Sequence, residues 1–223
     1  MKLPKHTLVA GVISSAEVWR EIANTPDLPC DLIELRLDAL PREDRLIAQQ
    51  IPAPKPLLLT PRHKSEGGCC DWDDAERSAL AMELLPLAAA LDWEIARLDG
   101  AAELLAAAKR QGVLLVASAH FFDRMPSLTE MQELEASASA AGADIVKIAF
   151  TPKNETDMAI GDDFLRLCSM PAAIMGMGAL AATSRARYTR QGSALLYGYL
   201  GHTPTAPGQL SAHQCRLLTQ AHS

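Results

Sequence analysis

The sequence of 223 residues lacks any run of about 18 consecutive apolar residues, the length that a membrane-spanning helix needs. It also lacks an excess of basic residues, because the formal net charge is -6. These two absences predict a cytoplasmic protein that binds neither a membrane nor nucleic acid. An anionic small-molecule ligand would have to be held by a few local arginines.

Cysteine motifs are missing as well. The five cysteines form no CxxC pair and no metal-ligand spacing, and an odd number is typical of free thiols in a reducing compartment. The adjacent Cys69 and Cys70 could be redox-active or bind a metal, but free thiols are the preferred interpretation. No cluster of carboxylates and histidines has metal-site spacing either, so we predict no metal and no cofactor.

No low-complexity segment or linker rich in Pro, Gly and Ser divides the chain, so we predict a single domain over residues 1–223. The first residues, MKLPKHTLVAGVISSAE, have the lysines and the short apolar run of a signal peptide. That run is brief, contains Gly11 and passes directly into a helical pattern from Ala16. We therefore expect a first β-strand there.

Short apolar runs recur along the chain, beginning near residues 6, 30, 55, 90, 112, 143, 171 and 193, and helix-like segments lie between them. Such alternation predicts an α/β fold with a parallel sheet, and eight parallel strands close most economically into a barrel. The predicted fold is a single (β/α)8 TIM barrel. An open doubly wound sheet is the alternative, although GxGxxG and a P-loop are both missing.

One of these strands carries charges on a single face. In DLIELRLD, Glu34, Arg36 and Asp38 alternate with Ile33 and Leu35. Because both faces of a wound parallel sheet are covered, the charged face must point into the barrel. Charges there are costly unless they pair or serve chemistry. Function is the favoured interpretation, and partial neutralisation of Glu34 by Arg36 is the alternative.

The strand DIVKIAF contains an unusual lysine. Lys147 is surrounded by apolar residues, and no acidic partner is next to it within the strand. Burial of an unpaired ammonium is costly enough that the group tends to lose its proton. The lysine would then be a nucleophile.

Further polar residues stand near the ends of other strands, where the active sites of barrel enzymes collect. The residues expected to converge there are Glu34, Arg36, Arg62, Glu66, His120 and Lys147. A nucleophilic amine can form a Schiff base with a ketone, and a nearby histidine can move protons near neutral pH. This combination indicates an aldolase, a dehydratase or a decarboxylase.

Six motifs make the pattern more specific. They are ELRLD, RHKSEGG, SAHFFDRMPS, DIVKIAFTPK, MGMGALAATSR and TAPGQLS, in order from about residue 30 to residue 211. In these motifs the chain resembles the type I 3-dehydroquinate dehydratases, the Schiff-base enzymes of the shikimate pathway. The resemblance implies a metal-free homodimer that converts 3-dehydroquinate to 3-dehydroshikimate and water by syn elimination.

The resemblance also implies roles for individual residues. Lys147 would form the Schiff base, His120 would shuttle protons, Glu66 would orient His120, and Arg185 would bind the substrate carboxylate. The other substrate-binding positions would be Glu34, Arg36, Arg62, Thr205 and Gln209, with Gln209 in a loop that closes over the substrate.

Three positions depart from the family pattern, namely Ala119, Met125 and Thr205. We expect them to bear on substrate affinity and lid closure more than on the chemistry. Two alternative functions remain at this point. A class I aldolase acting on a sugar phosphate would need a phosphate site late in the barrel, and TAPGQLS is not an evident one. A non-catalytic barrel that binds a metabolite would not need the lysine, histidine and glutamate together.

Overall fold

The elements of the protein follow the predicted alternation. The computed structural model describes residues 6–25, 27–204 and 208–220. In these ranges the strands are β1 (Leu8–Ile13), β2 (Leu32–Arg36), β3 (Leu57–Thr60), β4 (Ala90–Glu94), β5 (Leu114–Phe121), β6 (Ile145–Phe150), β7 (Ala172–Gly176) and β8 (Leu195–Tyr199). The α-helices are α1 (Ala16–Ile22), α2 (Ile47–Gln50), α3 (Asp74–Leu84), α4 (Ala102–Gln111), α5 (Leu128–Ala140), α6 (Glu155–Leu167), α7 (Ala181–Arg190) and α8 (Ala212–Gln220).

The strands form one parallel barrel. Each strand from β1 to β6 pairs with the next, and β8 returns to pair with β1. Between β7 and β8 the Ala194 amide donates to the Ala172 carbonyl at 2.7 Å, which brings the two ends of the sheet together. The predicted (β/α)8 barrel is confirmed, and the alternative of an open doubly wound sheet is wrong.

Alternation along the strands separates two apolar layers. Leu32 and Leu58 point inwards and help to fill the barrel, whereas Ile33 and Leu59 point outwards and pack against the surrounding helices. Glu34 follows Leu32 on the inward face and is buried. The charged face of β2 therefore points into the barrel as predicted, above an apolar floor.

Several helices begin at a side-chain cap. Ser15 accepts a hydrogen bond at the start of α1, and Asn154 does so at the start of α6. Asp73 and Ser127 form capping boxes at the starts of α3 and α5. Each such cap stabilises its helix by about 1 kcal/mol. The caps also fix the point at which each βα loop ends, and these loops surround the site described below.

The first strand is an integral part of the barrel. Every residue of β1 is buried, and the strand pairs with β2 on one side and β8 on the other. The prediction of a strand in this segment is confirmed. Among the helices in the described ranges, none is long and apolar enough to cross a membrane.

Candidate active site

A cavity of about 300 Å³ opens at the carboxyl ends of the strands. Among the residues that line it are Glu34, Arg36, Arg62, Glu66, His120, Lys147, Arg185 and Gln209. The remaining predicted site residue, Thr205, lies outside the described residues. The barrel therefore gathers at one end of the molecule side chains that are dispersed along the chain.

Lys147 lies in the middle of β6 with its side chain turned into the barrel, and only 4% of the residue is exposed. Its Nζ is 2.8 Å from Asp92 Oδ2 and 3.6 Å from Glu34 Oε1. The same atom lies 4.1 Å from the centroid of the Tyr197 ring, whose face attracts a cation. The expectation that Lys147 has no charged partner is therefore wrong. Its partners come from other strands of the barrel rather than from its own.

Asp92 connects this lysine to a buried network. Its Oδ1 accepts hydrogen bonds from Arg62 at 2.6 Å and from the Ser118 hydroxyl at 2.6 Å. Arg62 also donates to Ser118 Oγ at 2.7 Å. Burial opposes ionisation of Asp92, but the positive charges of Arg62 and Lys147 hold its pKa well below the usual value. Asp92 is therefore an anion that holds the lysine amine at a defined place.

His120 and Glu66 form a second pair at the cavity. His120 is near the end of β5, and its Nδ1 is 2.9 Å from Glu66 Oε2. Glu66 ends a short 3-10 turn in the loop after β3. Gly67 follows with φ of +84°, a left-handed conformation that favours glycine. The Glu-Gly sequence thus turns the carboxylate back towards the histidine.

Burial sets the protonation of this pair. It lowers the pKa of His120 well below the usual value, and the nearby charges of Arg62 and Lys147 act in the same direction. Burial also raises the pKa of Glu66 to about 7. The imidazole is therefore neutral at pH 7, the state in which it can accept a proton.

Arg185 places a buried positive charge at the cavity. The residue lies on α7 and is 4% exposed. One terminal nitrogen donates to the carbonyls of Gly176 at 2.7 Å and Ala181 at 3.2 Å. Its Nε has no partner, and no carboxylate pairs with it, among the residues that the structure describes. Burial lowers the pKa of Arg185. Such a site favours an anionic ligand.

The remaining charged groups on β2 are paired within the site. Arg36 forms two hydrogen bonds to Asp38, at 2.8 Å and 2.7 Å, and donates to the Gly67 carbonyl at 3.3 Å. Glu34 accepts from the Thr60 hydroxyl at 2.8 Å. Arg36 is therefore paired directly with Asp38, and the negative charge of Glu34 adds to the groups that raise the pKa of Arg36, in keeping with the partial neutralisation considered from the sequence.

Two polar residues of the site were not assigned a role from the sequence. Asp92 shares the inward face of β4 with Glu94, and this alternation of acids is the signal that could have indicated it. Tyr197 lies on β8, and its buried hydroxyl has no hydrogen-bond partner within the described ranges. An aromatic in an apolar strand carries no such signal, because most tyrosines there simply fill the core.

The two adjacent cysteines have different surroundings. The Cys70 thiol donates to the Asp38 carbonyl at 2.9 Å and accepts from Arg45 at 2.8 Å, whereas Cys69 is exposed. All cysteines in the structure's described part are free thiols, as predicted. In that same part, no group of three or more His, Cys, Asp and Glu residues is arranged to hold a metal ion.

Known proteins are similar to this chain in sequence and in fold. The 3-dehydroquinate dehydratase of Methanocella arvoryzae is 34% identical over 209 residues, which cover 93% of this chain and 92% of the relative. The catabolic 3-dehydroquinate dehydratase of Acinetobacter baylyi is 34% identical over 93% of this chain and 82% of its own. The structure of 3-dehydroquinate dehydratase from Enterococcus faecalis aligns with a TM-score of 0.81 at 28% identity, over 99% of this chain and 96% of that chain.

The match to a family model extends over nearly the same length. Residues 11–222 match the family described as type I 3-dehydroquinase. The match contains all the motifs that carry the resemblance, from the charged face of β2 to the segment after β8. With a family model spanning most of the sequence and relatives above 30% identity, this chain belongs to the type I 3-dehydroquinase family.

Proposed function

We propose that this member of the family dehydrates 3-dehydroquinate to 3-dehydroshikimate through an imine on Lys147, a step of the shikimate pathway towards aromatic amino acids. The observation that carries the proposal is the arrangement around one buried amine. Lys147 Nζ is held by Asp92 at 2.8 Å, in a cavity that also contains the His120–Glu66 pair and the guanidinium of Arg185.

Lys147 acts first in this mechanism. After losing a proton, its Nζ attacks the ketone carbon of the substrate, and loss of water from the adduct forms the imine. The protonated imine withdraws electrons and acidifies the C–H bonds of the neighbouring carbon. Asp92 and Glu34, whose carboxylates lie near Nζ, stabilise the positive charge that stays on this nitrogen.

His120 then moves the protons. Its neutral imidazole removes a proton from the carbon beside the imine, and the electron pair expels the hydroxyl group from the next carbon. The imidazolium returns the proton to the departing hydroxyl, which leaves as water. Hydrolysis of the imine releases the product and restores the amine. Glu66, bonded to Nδ1, leaves Nε2 as the nitrogen that works as the base.

The other polar residues position the substrate. Arg185 binds the carboxylate, while Glu34, Arg36 and Arg62 contact the ring hydroxyls. Gln209 closes over the bound substrate from the segment after β8, and it lines the cavity. Thr205 adds a hydroxyl in the same segment.

Arg185→Met should raise KM for 3-dehydroquinate about 10²-fold, with a smaller change in kcat. Charge-assisted hydrogen bonds to the carboxylate, worth about 3 kcal/mol together, are lost in this variant. The KM of Arg185→Lys should lie between those of the unsubstituted protein and Arg185→Met, because lysine keeps the charge without the planar fork. Steady-state kinetics, followed by the ultraviolet absorbance of the conjugated enone, measures both constants.

The control for this variant is Arg190→Met, which changes an exposed arginine on the same helix. It should keep the KM of the unsubstituted protein. An unchanged KM in Arg185→Met would show that the carboxylate binds elsewhere.

Activity should also rise with pH through the region near 7. Below that pH Glu66 is protonated, so it no longer accepts the Nδ1 proton of His120, and Nε2 is less available as a base. Well below pH 7, kcat/KM should fall about tenfold per pH unit, as expected for one proton. A profile of kcat/KM between acid and neutral pH measures this acid limb, the part of the profile in which kcat/KM rises with pH.

Glu66→Gln tests the assignment of that limb. The amide cannot titrate, so the limb should disappear, and the plateau should fall about 10- to 100-fold with the loss of a charged hydrogen bond. Glu133→Gln, on the exposed face of α5, is the control and should keep the original profile. Persistence of the limb in Glu66→Gln would assign it to another group.

The reaction itself can be tested with the purified protein. Incubation with 3-dehydroquinate should produce the enone absorbance, and treatment with borohydride during turnover should leave the reduced substrate on Lys147. A chelator should leave the rate unchanged. Aldol cleavage of a sugar phosphate without enone formation would support the aldolase alternative instead.

We also propose that the barrel constitutes one catalytic domain over residues 1–223 and works in the cytoplasm as a homodimer. The run of strands from β1 to β8 in one sheet supports the first part. The family resemblance supports the dimer, and the free cysteines support a reducing compartment. Light scattering coupled to gel filtration measures the mass, and a monomer at working concentrations would contradict the dimer.

A further inference from the structure

Arg77 is a charged residue outside the barrel that is completely buried. It lies on α3, which covers the outer face of the sheet, and its exposed fraction is 0%. The guanidinium carbon is 4.2 Å from the centroid of the Trp93 ring on β4. A buried arginine is costly unless all its donors are used, so its partners are informative.

Those partners connect the helix to the ends of two strands. Arg77 Nε donates to the Pro61 carbonyl, just after β3, at 2.7 Å. One terminal nitrogen donates to Asp74 Oδ1 at 2.6 Å, and the other is hydrogen-bonded to Glu94 Oε2 at the end of β4. The guanidinium is thus fixed in direction by a carbonyl and two carboxylates.

Glu94 links Arg77 to the residues of the cavity. Its second oxygen, Oε1, accepts from Arg62 at 2.8 Å and from the backbone amide of His63 at 2.9 Å. Arg62 donates in turn to Asp92, whose other oxygen is 2.8 Å from Lys147 Nζ. A continuous series of opposite charges therefore leads from the outer helix to the reactive amine.

The charges of this buried group balance only when Arg77 is counted. The members are three carboxylates and three cations, each at most 4% exposed: Glu34, Asp92, Glu94, Arg62, Arg77 and Lys147. Without Arg77 the group has one excess negative charge, and Glu94 Oε2 loses its partner. Relaxation of Glu94 would then draw Arg62 away from Asp92.

We propose that Arg77 is a positioning residue of the reaction, which holds Arg62, and through it Asp92 and Lys147, by fixing Glu94 from outside the barrel. This inference rests on the proposed function, because it concerns the rate at which Lys147 forms the imine. A purely structural role in docking α3 would change stability and leave that rate intact.

The test compares Arg77→Met, Arg77→Lys and the double variant Arg77→Met with Glu94→Gln. The main measurement is the rate at which 3-dehydroquinate and borohydride label Lys147, together with the melting temperature. Arg77→Met should label about 10²-fold more slowly, because small displacements of reacting groups have effects of this size. Arg77→Lys keeps the charge and should recover part of the rate.

The double variant separates charge balance from packing. It removes one positive and one negative charge, so the buried group stays balanced. The glutamine that replaces Glu94 can still accept a hydrogen bond from Arg62 through its amide oxygen. Lys147 should therefore be labelled faster in the double variant than in Arg77→Met alone. Arg97→Met is the control, since in the described ranges Arg97 pairs with Asp74, a carboxylate outside the buried group, and its side chain is 30% exposed. It should label within about twofold of the unsubstituted protein.

A folded Arg77→Met that labels at the original rate would overturn the proposal. If that variant does not fold, Arg77→Lys decides. Lysine lacks the planar fork that contacts Pro61, Asp74 and Glu94 together, so labelling at the original rate there would also overturn the proposal. A folded double variant that labels no faster than Arg77→Met would also contradict it. Failure of the unsubstituted protein to be labelled on Lys147 would instead contradict the proposed function.

Discussion

Replacing Lys147 with methionine is expected to lower kcat/KM for dehydration by ~10⁴-fold or more, because the variant has no amine with which to form the imine. Methionine has a similar length and fits an apolar environment. The groups around it, including Asp92 and Tyr197, keep their own positions in the barrel wall. The loss should therefore be one of chemistry and not of cavity shape.

Peptide mapping after borohydride treatment provides the direct measurement. The unsubstituted protein should be labelled on Lys147 only in the presence of substrate, and Lys147→Met should not be labelled. Lys153 lies six positions further along the same motif and is exposed, so Lys153→Met is a suitable control. It should keep both the activity and the label.

The charge of Lys147 can be tested separately from its nucleophilicity. Removal of the ammonium leaves Asp92 Oδ2 and Glu34 without their nearest cation, so Lys147→Met should also be less stable. Lys147→Arg keeps a positive charge but forms no imine with a ketone. It should be as inactive as the methionine variant while losing less stability. Full activity in either variant would exclude the imine mechanism.

The fold could be predicted because its signal is local and repeated. Each strand needs an apolar run, and each connecting helix needs an apolar face towards the sheet, so eight repeats are visible without any knowledge of distant contacts. The charged face of β2 was informative for the same reason. Glu34 has to point inwards once its neighbours Ile33 and Leu35 point outwards.

The pairing of charges inside the barrel could not be predicted in this way. Lys147 is paired with Asp92, which is 55 residues away along the chain. The contact depends on how far each side chain reaches across the barrel, which alternation does not specify. Alternation in β4 places Asp92 and Glu94 on one face, but the role of Asp92 depends on its contacts with Lys147 and Arg62 across the barrel.

Arg77 shows a second limit of sequence patterns. A charged residue on an amphipathic helix is normally solvated, and nothing in the segment DDAERSALAMELL marks this arginine as buried. Its burial depends on Glu94 and the Pro61 carbonyl, which lie in different parts of the chain. Only the packing of α3 on the sheet brings the three together.

His120→Ala should lower kcat by about 10²- to 10⁴-fold, the range typical of a lost general acid-base group. Label on Lys147 should nevertheless still appear after borohydride treatment, because the amine and the ketone need His120 less than proton removal from carbon does. Turnover and labelling are thus expected to separate in this variant, whereas both disappear together when Lys147 is replaced.

Two further measurements make this prediction specific to the imidazole. His213→Ala, an exposed change on α8, should keep normal turnover. Added imidazole should restore part of the activity of His120→Ala, since truncation leaves space beside Glu66, the carboxylate that bonds Nδ1 in the intact protein. Undiminished turnover in His120→Ala would show that the histidine has a structural role only, and that another group moves the protons. Rescue by imidazole requires a small base in that space, so it would place the proton transfer at the position of His120.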